Sequence, residues 1–163
     1  MGNRTRKRIR DWVSMFSRFR RLPQPERRLL VQAGCLIAIL ALSLKVFRFQ
    51  RVRAALARLT PGELQAARDA SEPLAEVLQV VCAVDRAARH APFQTSCLHR
   101  SLALWGLLRR RGFASALQLG VRKRNAGFEA HAWVERGGVV LGDGAATDPE
   151  YVRVSWVPVE LDR

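Results

Sequence analysis

Cysteine, histidine, tyrosine and acidic side chains are all scarce in this chain. It has three cysteines, three histidines and one tyrosine in 163 residues. Cys35, Cys82 and Cys97 are odd in number and show no C-x-x-C spacing. That argues against a disulfide framework and sets a reducing, cytoplasmic compartment as the expectation. Combined with His99 and His131, Cys97 does not reproduce zinc-ligand spacing, so neither a metal nor a cofactor is expected. Fourteen Asp+Glu stand against 28 Lys+Arg, a formal net charge of +14. Such a balance attracts anions: nucleic acid, an anionic membrane face or an acidic peptide. Neither a helix-turn-helix nor an aromatic–basic strand signature is present, so no specific nucleic-acid partner is expected.

Long hydrophobic runs are also rare. The strongest is Leu29–Leu44, LLVQAGCLIAILALSL. It is roughly 16 residues, short of the ~20 that a bilayer needs. Gln32 interrupts it, and Arg27, Arg28 and Lys45 bound it. A buried core helix is the expectation, with a membrane anchor as the alternative. No A-x-A cleavage pattern follows, and Arg6 breaks the myristoylation pattern.

What is present divides the chain into three parts. Residues 1–24 form a basic extension, in which Trp12, Phe16 and Phe19 recur near helical spacing among arginines. Contact with a membrane or another anionic surface through residues 1–22 is one expectation for it. Residues 25–90 read as helical. Phe49–Leu59 is an arginine-rich amphipathic helix. Thr60-Pro61-Gly62-Glu63 is a capping-box start, and Ser71-Glu72-Pro73 opens a helix running to about Arg89. Cys35 and Cys82 lie in apolar helical patterns and are expected to be small buried hydrophobes. Residues 91–163 change texture. A helix from Cys97 to Arg111 ends at Gly112, and strands follow at Ala116–Arg122, Phe128–Glu135, Val139–Leu141 and Val152–Val157. Gly137-Gly138 marks a hairpin. A helix followed by an antiparallel sheet defines an α+β fold, with the helical half packed on that helix-and-sheet core.

Three residues carry the candidate chemistry. Cys97 falls in the first turn of its helix, with Thr95 or Ser96 as N-cap, where the helix dipole favours thiolate. His131 is central in an apolar strand and shares a face with Glu129 and Trp133 by alternation. Asp143 follows the next strand, where a hairpin would bring it alongside the histidine to orient the imidazole. Asp148 is the competing carboxylate. His99 is placed to point away from Cys97, and Gln94 is a possible oxyanion donor. Cys-His-Asp supplies nucleophile, base and orienter, in the order that papain-like and transglutaminase-like enzymes use.

The surrounding words are more specific than the triad alone. Pro92-Phe93, Cys97-Leu98, Ser101-Leu102-Ala103-Leu104, Leu107 to Gly112, Gly120-Val121 and Ala130-His131-Ala132-Trp133-Val134-Glu135 together resemble the transglutaminase-like leader peptidases of lasso-peptide biosynthesis. The likeness is close over residues 91–145 and looser over 25–90. It implies a thiol protease that removes the leader from a ribosomal precursor peptide. A separate RiPP recognition element protein would deliver the leader, and an ATP-using lasso cyclase would act next. The family's Cys, His and Asp fall on Cys97, His131 and Asp143; Phe93 stands where tryptophan is common. Two other functions compete: an acyl transferase using the same triad, and a non-catalytic basic helical protein that binds membrane or nucleic acid.

Overall fold

The computed structural model describes residues 22–60, 74–124, 127–142 and 151–154. The segment 1–21, the Pro61–Glu63 part of the expected capping box, the helix opening at Ser71–Pro73, and both Asp143 and Asp148 lie outside the described residues.

Among the described residues, four helices precede a sheet. Helix α1 is Gln24–Val46, α2 is Phe49–Leu59, α3 is Leu74–His90 and α4 is Cys97–Arg110. Pro25 sits in the first turn of α1, where its missing N–H removes no helical bond. Leu29, Ala33, Ile37 and Leu40 repeat every three or four residues and form the buried stripe of α1. That stripe packs against α3 and α4. Helix α4 is the centre of the packing: every residue from Ser101 to Arg109 is buried. Leu102 and Leu108 are fully enclosed, with Val77, Val80 and Val84 of α3 beside Ile37 of α1 in the same core. Phe49–Leu59 has the expected bounds, and α1 exceeds the expected run at both ends.

The sheet is antiparallel, in the order β3-β2-β1-β4. Strand β1 is Ala116–Arg124, β2 Gly127–Arg136, β3 Val139–Leu141 and β4 Val152–Arg153. Gly137 and Gly138 both take positive φ, 54° and 80°. Two such residues make the tight hairpin turn that suits the twist of β2 and β3. Gly112, at φ 84°, ends the α4 turn as expected. Val134 and Leu141, a cross-strand pair, join Leu117 in packing on the helical core. The result is the α+β arrangement expected from the sequence.

Cys35 and Cys82, expected to be buried, are exposed. Cys35 lies in a helix that is apolar all round, and Cys82 is embedded in a run of valines and alanines. Neighbours of that kind do not reveal which face of a helix turns inward. Arg109, in the last turn of α4, is buried. Its guanidinium donates to the Thr60 hydroxyl and carbonyl at 3.3 and 3.2 Å and stacks over Trp105 at 4.9 Å. The Thr60 hydroxyl also donates back to the Leu56 carbonyl at 2.7 Å, so it closes α2.

If α1 is part of the folded core, neighbouring isoleucines should respond differently. Ile37 is 1% exposed and Ile39 60%. Ile37→Ala should lower unfolding free energy by about 2–5 kcal/mol. Ile39→Ala should change it by less than about 0.5 kcal/mol. Urea unfolding of both variants checks this, and equal small effects would contradict it.

Candidate active site

Helix α4 leaves the core at its N-terminus, and Cys97 is its first residue. Residues 97–100 are half-buried, whereas Ser101 onward is enclosed. Ser96 is the N-cap, in extended conformation, and its hydroxyl accepts from the His99 N–H at 3.4 Å. His99 completes the reciprocal cap. Its Nδ1 accepts from the Ser96 N–H at 3.0 Å and lies 2.8 Å from the Ser96 hydroxyl. Glutamate or glutamine ordinarily fills that N3 position; a histidine doing so escaped the sequence reading. Asp85 of α3 binds Arg100 through its carboxylate, and Thr95 reaches the Ala88 carbonyl at 3.4 Å. The mouth of α4 is thereby pinned to α3 on two sides.

The other half of the site is β2. Strand β3 pairs with residues 134–136 of β2. Just ahead of them, the buried Ser101 hydroxyl donates to the Ala132 carbonyl at 2.7 Å. Ser101 is one turn, about 6 Å, along the helix from Cys97, and Ala132 is next in sequence to His131. The nucleophile and base candidates thus sit on two elements that this bond locks together. Asp143, the third candidate, follows Gly142, which closes β3 with φ 73° against Val81 and Leu104.

His131 shares its sheet face with Trp133, as alternation predicts. The two rings stack at 6.2 Å, and Tyr151 tilts against His131 at 5.4 Å. This aromatic platform is held from beneath. The Trp133 Nε1–H donates to Glu135 at 2.7 Å, and Arg153 of β4 bridges the same carboxylate at 2.8 Å. Glu135 is buried, and these two partners compensate its desolvation. Gly120 pairs with His131 across β1 and β2. A Cβ at Gly120 would come within 2.8 Å of the Trp133 ring. Glycine there lets the indole lie close to the strand, which is what a glycine inside a strand signals. Arg122 ion-pairs with Glu129 at 2.8 Å and covers Tyr151 at 4.7 Å. That pairing holds the Glu129 carboxyl below the usual carboxylate range. Among the described residues, no cluster of His, Cys, Asp or Glu could hold a metal ion.

Residues 35–156 match the transglutaminase-like superfamily, and the chain belongs to that superfamily. Cysteine proteases and acyl transferases working through Cys-His-Asp are typical of it, and this is the class of activity the match supports. No curated protein and no solved structure gives a significant match.

The His99 cap has a pH dependence with a definite sign. Burial, and then the charge of Lys45, hold the His99 pKa below its ordinary value of 6.5. Only the neutral ring can accept through Nδ1, so the cap is intact above pH 6.5 and is lost as pH falls through the lowered folded value. His99→Leu should destabilise by about 1 kcal/mol at pH 7.5. Its melting temperature should converge on that of the wild type on acidification. Thermal melts across pH 4–8 check this, and a constant difference would contradict it.

Proposed function

We propose that this protein is a leader peptidase: a cysteine protease that cuts the leader from a lasso-type ribosomal precursor peptide. The observation that carries the reading is the placement of Cys97 at the N1 position of α4, with α4 bonded through Ser101 to the residue beside His131. The superfamily membership supports the chemistry, and the words around Cys97 and His131 support the substrate class.

In this mechanism, His131 takes the proton of Cys97, or the two rest as thiolate and imidazolium. The thiolate attacks the carbonyl of the last leader residue and forms a tetrahedral adduct. N–H groups of the first turn of α4 receive the oxyanion, aided by the helix dipole. His131 returns its proton to the leaving amine, which becomes the N-terminus of the core peptide. Water, deprotonated by His131, then hydrolyses the thioester and regenerates the thiol. Asp143, with Asp148 as the competing carboxylate, orients the imidazole. The Trp133–Tyr151 platform limits how far the His131 ring can swing. A RiPP recognition element protein supplies register by presenting the leader, and a lasso cyclase takes the freed core, all in the cytoplasm. The excess of arginine suits an acidic leader or partner surface.

The test is mass spectrometry of a candidate precursor incubated with this protein and its leader-binding partner. Cleavage at a single bond is expected, with Cys97→Ala and His131→Ala each lowering the rate by at least about 1000-fold. Cleavage that survives Cys97→Ala would overturn the mechanism. Transfer of the acyl group to an added amine in place of water would redirect it to the transferase branch.

A further inference from the structure

Helix α1 has a second apolar face, and it points to solvent. Val31, Ile39, Leu42 and Val46 are 50%, 60%, 66% and 68% exposed, and Cys35 is exposed among them. At 100° per residue this strip lies opposite the buried stripe of Leu29, Ala33, Ile37 and Leu40. It runs about 23 Å from Val31 to Val46 and ends on Phe47, itself exposed. Single exposed apolar residues are ordinary; an unbroken strip along a helix marks an interaction surface.

Charge says what kind of surface meets it. Arg27 and Arg28 stand at one end, beside a shallow depression that they line with Val31 and Gln32. Lys45 and Arg48 stand at the other, and Arg51 is exposed on α2 beyond them. Cations bracketing an apolar strip can extend to headgroups while their stems stay with the acyl chains. We propose that α1 lies in the plane of an anionic lipid bilayer, its exposed strip set into the headgroup–acyl boundary.

Helix α1 is long and apolar enough to cross a membrane. Its other face, however, is packed on α3 and α4 from Leu29 to Leu40, so the helix is set on the bilayer and not through it. A second copy is a poorer occupant, because antiparallel pairing would set Arg27 and Arg28 against Lys45 and Arg48. The segment 1–21 is arginine-rich too and would meet the same repulsion. Helix α1 packs against α4, whose mouth carries Cys97. Docking would hold that mouth close to the bilayer surface. This inference does not depend on the peptidase reading, and its test contains no protease readout.

The test is flotation of the full chain with vesicles of phosphatidylcholine, with or without phosphatidylglycerol. Binding is expected to the anionic vesicles, weakening as salt rises. Ile39→Ser with Leu42→Ser should lower the partition coefficient by about 100-fold, with the circular dichroism melt unchanged. Arg28→Gln with Lys45→Gln should lower it by about 10- to 30-fold. Binding that persists in the Ile39/Leu42 variant would overturn the proposal and assign the contact to another part of the chain. Absence of binding by the wild type would overturn it as well, as would a strip found to drive self-association in sedimentation.

Discussion

Burial of α4 on all sides is the constraint on which the rest of the molecule depends. From Ser101 to Arg109 no residue of this helix reaches solvent. Helices α1 and α3 cover part of it, α2 is tied to it through Arg109 and Thr60, and the sheet closes the remainder. A helix so enclosed has no freedom to rotate or slide, because interiors packed to crystal density transmit displacement. Its accessible portions are the first turn and Arg110 at its far end. Whatever chemistry that turn carries is held rigidly while remaining reachable, and Cys97 is the first residue of it.

The same enclosure explains why so few bonds are needed to define the site. The Ser101 hydroxyl joins α4 to β2 at Ala132, one residue from His131. Removing it would leave a buried carbonyl without that partner, which costs about 1–3 kcal/mol, and would loosen the tie between α4 and the strand that carries the histidine. Within the sheet, Trp133, Glu135, Tyr151 and Arg153 brace the His131 ring. Cys97 and His131, the proposed nucleophile and base, are thus braced by different contacts, helical for one and sheet-borne for the other, and are joined through Ser101.

Much of this was legible in the sequence, and what was not shares one cause. The α+β order, the Gly137–Gly138 hairpin, the Phe49–Leu59 helix and the shared face of His131 and Trp133 follow from period and punctuation, which are local. The inward face of α1 does not follow, because the run is apolar all round and only its tertiary partners choose a side. Cys35 was misassigned for that reason. Ser101, His99 and Gly120 were missed as site-supporting residues because each acts through a partner chosen by the fold: a carbonyl 31 residues away, an N-cap amide, and an indole on the next strand. Gly120 did leave a signal, a glycine inside a strand, and His99 left one in standing three residues after Ser96.

The central claim is that Cys97 is an activated thiol coupled to His131. The most direct measurement is the rate of its alkylation by iodoacetamide at pH 7, in a Cys35→Ser/Cys82→Ser background that removes the two exposed thiols. Coupling to His131 predicts alkylation faster than that of a small free thiol, and a His131→Ala variant that falls to the free-thiol rate. A rate equal to that of a free thiol, and unchanged by His131→Ala, would contradict it.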